Sequence, residues 1–324
     1  MKHTAVKSSV AMACAMMSSL LFGLSFIFVK QSVNEVSTFT LLSWRFLFAF
    51  FGMCICVLFG LLKINLRGKP LKPLLLIALF QPILYYIVET WGIALTTATE
   101  SVIVIACIPI VTVILSALML KEPPTRRQTL SIVLSVAGIF IMVLIKGLSA
   151  SLNPIGYLLL FITISSAGLY VIYSRKAAAY TSTEKTFIMS AAGALVFTVF
   201  AVVEHAAAGT FREFIILPFT NHDFLISLLY LSVACSVIAT MLRNYSISEI
   251  GATRTASFAV LTTVVSVVAG VVFLNEPFSF AQGVATVLVL AGVYGANHIP
   301  KNAVPLNSPA FYESLPEKEK GGGV

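Results

Sequence analysis

The two halves of the sequence repeat one pattern, and this duplication limits the folds that the chain can adopt. A Glu-Pro pair follows a long apolar run at Glu122-Pro123 and again at Glu276-Pro277. With the two pairs superposed, further identities align without a gap: Ala98 with Ala252, Thr99 with Thr253, Leu120 with Leu274, Gln128 with Gln282, Leu134 with Leu288, and Ala137-Gly138 with Ala291-Gly292. The chain is therefore predicted to contain two copies of one hydrophobic unit.

These units are too apolar for a water-soluble domain. Hydrophobic residues make up 58% of the chain and charged residues only 10%, which is more apolar surface than a soluble domain of this length can bury. In a lipid bilayer the backbone polar groups must be paired internally, as in a helix bundle or a closed barrel. The apolar runs lack the two-residue alternation of barrel strands. We therefore predict an all-α integral membrane protein.

A helix of about 20 apolar residues is long enough to cross a bilayer. Ten such spans are predicted, at roughly 11–30, 38–60, 74–95, 98–120, 128–145, 154–174, 186–204, 223–243, 252–274 and 281–299. Five spans per unit is an odd number, so the second unit enters the bilayer from the side opposite to the first. The predicted architecture is two inverted five-helix repeats. The longest connection, about 205–222, is predicted as a segment at the outer interface.

The predicted organisation has four parts. A cytoplasmic N-terminus at 1–10 precedes a first repeat at 11–145, a second repeat at 154–299 and a disordered cytoplasmic tail at 300–324. The predicted inner segments carry most of the 21 lysines and arginines, so the positive-inside rule places both termini in the cytoplasm. We predict a multi-pass protein of the plasma membrane. The net charge of +8 is interpreted as this topology signal, with some contact to anionic lipid, and not as nucleic-acid binding.

The sequence gives no sign of a metal site, a cofactor site or a catalytic centre. Five cysteines lie in predicted spans without the spacing of metal ligands: Cys14, Cys54, Cys56, Cys107 and Cys235. The histidines do not cluster with cysteines or carboxylates, and no constellation of His, Asp or Ser indicates an enzyme that acts on lipid. The Gly-rich loop that direct use of ATP requires is also missing. We therefore predict no cofactor, no metal and no enzyme activity.

The duplicated pattern resembles the drug/metabolite transporter superfamily, and most closely its EamA-type members. The resemblance rests on the two Glu-Pro pairs, each followed by an Ala-Gly-bearing helix, and covers roughly residues 10–299. Phe22-Gly23, Lys30 and Arg45 also lie where that family tends to place a Trp-Gly pair, a basic residue and an arginine, although Phe22 departs from the usual tryptophan. The resemblance implies secondary export or exchange of small metabolites, often amino acids or nucleotide-related compounds, through a central cavity.

Two charged residues inside predicted spans are the main candidates for a binding site. A charge at a helix centre costs about 2.5–3.5 kcal/mol on insertion scales. Arg45 and Glu89 lie about seven and six residues from the outer ends of the second and third spans. At about 1.5 Å per residue, both are roughly 9–10 Å deep. At equal depth they could form a permanent structural pair, or they could hold the two charges of a zwitterionic substrate.

The residues around Glu89 extend this candidate site. Tyr85 and Tyr86 precede Glu89 by four and three residues and lie on nearly the same helix face, where they could equally serve in packing. Gln81-Pro82 is expected to kink the helix further in and to free a carbonyl. The candidate substrate-binding residues are Arg45, Tyr85, Tyr86 and Glu89. Glu89 is also the candidate for proton coupling, because burial favours the neutral carboxyl unless Arg45 keeps it ionised.

The predicted function is a secondary transporter that exports a small metabolite, such as an amino acid or related compound. It works by alternating access at a central site between the repeats. A multidrug pump for lipophilic cations is the first alternative, which fits Glu89 but not Arg45 at similar depth. A membrane-embedded receptor or lipid enzyme is the alternative from another class. The predicted partners are a small-molecule substrate, the bilayer and coupling protons, and the oligomeric state is left open, with a homodimer as one option.

Overall fold

The structure, a computed structural model, describes residues 2–33, 36–96, 104–105, 107–122, 124–145, 153–274 and 280–297. These residues form helices joined by short connections, and they include no β-strand. The helices are α1 (Lys2–Val33), α2 (Thr38–Leu58), α3 (Lys72–Ala78), α4 (Tyr85–Leu95), α5 (Ile108–Met119), α6 (Arg126–Ile145), α7 (Pro154–Lys176), α8 (Ser182–Ala208), α9 (Phe211–Thr220), α10 (His222–Leu229), α11 (Thr240–Ile250), α12 (Ala252–Leu274) and α13 (Phe280–Asn297). A π-helical segment joins α3 to α4 (Leu79–Leu84), and another joins α10 to α11 (Tyr230–Ala239).

The all-α prediction is confirmed for the described residues, and many of the helices suit a bilayer. Six stretches are long and apolar enough to cross one: Lys7–Val29, Thr38–Leu58, Lys72–Ile93, Pro154–Lys176, Ser182–Ala208 and His222–Ile250. Their outer surfaces are apolar as well. Leu58 is 84% exposed and Leu195 is 69% exposed, which lipid accommodates and water does not.

Local sequence sets where several of these helices begin and end. The Ser37 hydroxyl accepts a hydrogen bond from the Thr40 N–H at the start of α2, and Thr181 with Glu184 forms a capping box at the start of α8. Gly209 ends α8 with a φ of 71°, a left-handed conformation that glycine adopts without strain. The predicted interfacial segment 205–222 is therefore helical on both sides of Gly209, because the α8 helix runs to Ala208 and α9 begins at Phe211.

The helix contacts follow the repeat that the sequence predicts. Helix α2 packs along α8, and α6 packs along α13, so equivalent helices of the two units meet each other. Helix α1 packs against α11 and α12, while its equivalent α7 packs against α4 and α5. As a result, two sets of helices face each other: α1, α11 and α12 form one set, and α4, α5 and α7 form the other.

Two glycines occupy equivalent close approaches within these sets. A Cβ added to Gly23 in α1 would lie 2.5 Å from the Cβ of Val265 in α12. A Cβ added to Gly168 in α7 would lie 2.8 Å from Leu115 in α5 and 3.4 Å from Val111. Val111 and Val265 are equivalent in the register that aligns Ala98 with Ala252. Small residues allow helix backbones to approach closely, and here they do so in both units.

Some of the predicted features differ in extent or lie outside the described residues. Helix α1 already begins at Lys2, and the helix predicted at 223–243 continues to Ile250. Glu276-Pro277 and the predicted tail at 300–324 lie outside the described residues. The count of ten spans, the inverted orientation and the four-part organisation stay predictions.

Candidate functional site

The helix that contains Gln81-Pro82 is interrupted, as the sequence predicts. Gln81 has non-helical angles (φ −148°, ψ 121°) inside the π-helical segment between α3 and α4. Proline has no N–H to donate, so a carbonyl on the preceding turn loses its helical partner. The Ser166 hydroxyl of α7 donates to the Phe80 carbonyl at 2.7 Å. The same carbonyl accepts the Tyr85 N–H, so it has a donor from its own helix and a second one from α7. The predicted kink is thus confirmed, and the freed carbonyl stays a prediction.

A second interruption lies at the equivalent place in the other unit. The π-helical segment Tyr230–Ala239 separates α10 from α11, although the stretch from His222 to Ile250 contains neither proline nor glycine. When the alignment of Ala98 with Ala252 is extended towards the N-terminus, Pro82 aligns with Ser236. Short π-helical stretches inside α-helices are frequent at functional sites, and these two occur as a repeat-related pair.

Arg45 extends from α2 into the space between the two interrupted helices. Its side chain is only 6% exposed, and its Nε donates to the Ser236 hydroxyl at 2.8 Å. The guanidinium carbon lies 5.5 Å from the centroid of the Tyr86 ring and 5.7 Å from that of Phe46, within the range of cation–π attraction. Among the described residues, neither terminal guanidinium nitrogen has a hydrogen-bond partner. These donors are therefore available to a ligand.

Glu89 makes its contact within its own helix. The Tyr85 hydroxyl donates to Glu89 Oε1 at 2.8 Å, one helical turn away. In the described part of the chain, no ion pair within 4.0 Å joins Glu89 to Arg45. In the structure, Tyr85 therefore hydrogen-bonds Glu89, and the Tyr86 ring stacks on Arg45. Arg45 and Glu89 have no direct contact with each other. A permanent Arg45–Glu89 ion pair is not present in this structure.

A small cavity lies beside Arg45, where the two units meet. Arg45 and Tyr86 line it together with Gln81, Ser236 and Thr240, and its volume is about 20 Å³. Tyr86 and Thr240 are equivalent in the repeat register, so each interrupted helix contributes the same positions to the wall. A cavity of this size has room for about one water molecule. Tyr85 and Glu89 lie on the same helix as Tyr86 but do not line this cavity.

Two polar features of the cavity have only partial signals in the sequence. The Gln81 side-chain oxygen is buried and has no hydrogen-bond partner among the described residues, although Gln81 is predicted only as part of a kink. Ser236 holds the Arg45 side chain, yet nothing in its own helix marks it as a site residue. The alignment of the two repeats is the signal in the sequence that points to Ser236, because it pairs Ser236 with Pro82.

A family comparison agrees with this arrangement of two equivalent units. The model of the EamA-like transporter family matches the chain twice, at residues 9–144 and 154–297. The chain belongs to the EamA-like transporter family. The resemblance to this family and to the drug/metabolite transporter superfamily is therefore confirmed, and the chain is a multi-pass membrane protein with a small-molecule substrate.

Relatives of this EamA-like chain are named as transporters, and the similarity covers nearly their full length. The uncharacterized transporter YcxC of Bacillus subtilis (strain 168) is 36% identical over 300 residues, which cover 91% of this chain and 94% of the relative. An uncharacterized transporter of Archaeoglobus fulgidus is 26% identical over 285 residues, or 86% of this chain and 94% of that one. A solved crystal structure superposes with a TM-score of 0.71 at 17% identity, covering 88% of this chain and 97% of the other. That structure is similar in fold.

Proposed function

We propose that this chain is a secondary transporter that exports a small zwitterionic metabolite, such as an amino acid or a related compound. The observation that carries this proposal is the buried Arg45, whose free terminal nitrogens lie beside a cavity between two equivalent units. A buried charge in a membrane protein marks a substrate or ion pathway more often than a structural feature. Transporters of repeated architecture place such sites where their repeats meet.

The chemistry of the site favours a ligand with a carboxylate. A guanidinium offers paired donors in the geometry of a carboxylate, and the Tyr86 ring holds the Arg45 plane from one side. The unpaired Gln81 oxygen can accept a hydrogen bond from a ligand ammonium group, and Glu89 with Tyr85 provides a second acceptor along the same helix. A lipophilic cation would have to be bound beside the uncompensated charge of Arg45, which disfavours the multidrug alternative.

Transport through this site requires movement of the helices. The cavity has room for about one water molecule, so a metabolite can enter only when the two sets of helices separate. The two π-helical segments flank the cavity, and their irregular backbone provides places at which each helix can bend. We propose alternating access between two inverted five-helix repeats, at 11–145 and 154–299, with ten spans and both termini in the cytoplasm of a plasma-membrane protein.

Glu89 is the proposed coupling residue. Its carboxyl group is half-buried beside Tyr85 and lacks a contact with Arg45, so it can exchange a proton without breaking an ion pair. In this cycle, a proton and the ligand ammonium group compete for Glu89. The proton gradient then drives the transport step, and ATP is not needed.

Ligand-induced stabilisation of the purified full-length protein tests the proposed site. A ligand that binds only the folded state raises the melting temperature. We expect certain amino acids to raise it, whereas the matched amines without a carboxylate and the matched acids without an ammonium group raise it less. Arg45→Gln should abolish this rise, and Arg212→Gln should preserve it, because Arg212 is an exposed arginine of α9. A rise of equal size in the Arg45→Gln variant would contradict the proposal.

A further inference from the structure

A polar cluster joins the two sets of helices at the end of the molecule that is proposed to face the cytoplasm. Asn244 of α11 lies at its centre and is fully buried. Its side-chain oxygen accepts hydrogen bonds from the Tyr170 hydroxyl at 3.0 Å and from the Ser174 hydroxyl at 2.9 Å, both from α7. Its side-chain nitrogen donates to the Thr186 hydroxyl of α8 at 3.2 Å. We refer to these residues, with Lys185 and Ser248, as the inner cluster.

Lys185 is a fully buried cation within the inner cluster. Its Nζ donates to the Ser174 carbonyl at 2.6 Å and to the Ser248 hydroxyl at 2.9 Å. No carboxylate lies within 4.0 Å of Lys185 among the described residues. Instead, the ammonium group lies at the last turns of both α7 and α11, where helix ends carry partial negative charge. Lys185 therefore connects the ends of two helices that belong to opposite sets.

Further contacts surround the inner cluster on the same end of the molecule. Arg175 of α7 donates to the Ser248 carbonyl of α11, and its Nε lies 3.7 Å from the Glu122 carboxylate. Lys69, in the connection before α3, lies 2.9 Å from the buried Glu184 of α8. Each of these contacts joins segments that are far apart in the sequence, and none of them lies along the wall of the cavity.

Among the described residues, the polar contacts at the opposite end of the molecule, such as Ser37 with Glu204 and Thr40 with His205, join α2 to α8 and do not join the two sets. The registers that align Gly23 with Gly168, Ser37 with Thr181 and Ala98 with Ala252 identify the equivalent positions. Four of the six are apolar, namely Val29 for Ser174, Leu41 for Lys185, Leu42 for Thr186 and Ala94 for Ser248, and the other two are Ser25 for Tyr170 and Thr90 for Asn244. In the described part of the chain, α7 packs on α11, but the equivalent helices α1 and α4 show no comparable packing. The asymmetry is therefore present both in sequence and in packing.

We propose that the inner cluster is the cytoplasmic gate of this transporter and that the structure is closed on that side. The inference rests on the proposed function, because a gate has meaning only where access alternates. Helix α7 packs with the helix that carries Tyr86, whereas α11 continues the helix that carries Ser236. A cytoplasmic path to the cavity can form only if the ends of α7 and α11 separate, and the inner cluster is what holds them together.

A polar gate can open and close more readily than an apolar seam of the same size. When the helix ends separate, water replaces each lost hydrogen bond, so the net stabilisation from each bond is modest. Lys185 gains hydration in the open state, which offsets part of the lost contact with the helix ends. The closed state then depends on the hydrogen bonds that Asn244 of α11 forms with two other helices, α7 and α8.

Chemical labelling of the cavity from each side of the membrane tests the gate. The full-length chain, with its native cysteines replaced, receives a reporter by Ser190→Cys, a buried position that lines the cavity. A membrane-impermeant maleimide is added to inside-out and to right-side-out vesicles. We expect Asn244→Ala to speed labelling from the cytoplasmic face by about tenfold, because loss of the two hydrogen bonds that join Asn244 to α7 shifts the closed population by that amount.

A second variant tests the gate independently, in case Asn244→Ala does not fold. Tyr170→Phe with Ser174→Ala removes the same two hydrogen bonds from the side of α7, and it should also speed labelling from the cytoplasmic face. Thr198→Val is the matched control, because Thr198 forms a partly buried hydroxyl contact with Ser43 that lies outside the inner cluster, and it should not change the rate. Unchanged labelling in both cluster variants, or faster labelling from the outer face only, would overturn the gate. The labelling needs no substrate, so a failure of the ligand panel alone would contradict the proposed function and not the closure.

Discussion

The two interrupted helices face the same cavity at equivalent positions, but different chemistry holds each interruption. In the helix before α4, Pro82 removes a backbone donor, and the Phe80 carbonyl accepts both the Tyr85 N–H and the hydroxyl of Ser166 from another helix. In the helix before α11, the Ser236 hydroxyl donates to the Leu231 carbonyl at 3.1 Å while it accepts from Arg45. The first interruption is therefore built into the backbone, and the second depends on side chains that also position the candidate ligand site.

The difference suggests a division of roles between the two units. The first unit contributes the aromatic and acidic groups, Tyr86 and Glu89, to a helix whose shape is set by proline. The second unit contributes the hydroxyl that orients Arg45. At the position equivalent to Glu89 it carries Arg243, so the repeats place opposite charges at equivalent sites. Changes in the second helix should therefore alter binding through the direction of Arg45, whereas changes in the first should alter binding through charge or should alter stability.

The largest expected effect follows from removing the charge of Glu89. Glu89→Gln should weaken binding of the amine-bearing ligand by roughly 10- to 100-fold, because a hydrogen bond to a charged group contributes about 1.5–3 kcal/mol. It should also remove the pH dependence of uptake into vesicles. Arg243→Gln is the matched control at the equivalent position and should retain that dependence. Wild-type rates and wild-type pH dependence in Glu89→Gln would remove Glu89 from the mechanism.

The sequence predicts the parts of the site that local rules describe. Gln81-Pro82 marks a kink because proline cannot donate, and Tyr85 contacts Glu89 because residues four apart share a helix face. The depth of Arg45 places it near Tyr86. Equal depth also allows an ion pair between Arg45 and Glu89, but depth does not fix the direction of a side chain. Arg45 instead turns toward Ser236.

The parts that the sequence does not predict depend on contacts between distant segments. Ser236 and Asn244 are ordinary polar residues in an apolar helix, and their roles come from Arg45 and Tyr170, which reach them from other helices. Lys185 lies close to a predicted span end, where a lysine usually serves as a positive-inside residue. Its burial results from the packing of α7 and α11 around it. Tertiary placement of this kind leaves no local pattern.

A smaller effect is expected from Ser236→Ala, which tests whether the second helix orients Arg45. Loss of the hydroxyl leaves the Arg45 Nε without its partner, so the guanidinium loses its fixed direction. Ligand affinity should fall by about tenfold, the equivalent of one hydrogen bond of about 1.4 kcal/mol. Ser232→Ala is the matched control, because Ser232 lies in the same π-helical segment and its hydroxyl donates to the Leu229 carbonyl, one turn back at the end of α10. Equal losses of affinity in both variants would contradict a specific role for Ser236.

Ser166→Ala should reverse this pattern and affect stability without affecting the ligand. The Phe80 carbonyl then keeps the Tyr85 N–H but loses its hydrogen bond from α7, and the free energy of unfolding in detergent should fall by about 1 kcal/mol. Ligand-induced stabilisation should keep its size, because Ser166 does not line the cavity. Thr163→Val is the control on the same helix, since the Thr163 hydroxyl bonds only to the Leu159 carbonyl one turn back. A smaller ligand-induced stabilisation in Ser166→Ala would mean that the shape of the proline-bearing helix also determines ligand binding.

The smallest effect is expected from Thr240→Val, which probes the end of the second interruption. The Thr240 hydroxyl donates to the Cys235 carbonyl at 3.0 Å, but the Thr240 N–H reaches the same carbonyl. Because this acceptor keeps a donor after the substitution, unfolding should change by only about 0.5 kcal/mol. Thr90→Val is the control in α4, beyond the first interruption, where the hydroxyl bonds to the Tyr86 carbonyl in a regular turn. If Thr240→Val weakened ligand binding as much as Ser236→Ala, the two hydroxyls would act together to shape the second helix. The hydrogen bond between Ser236 and Arg45 would then have no separate effect on the ligand.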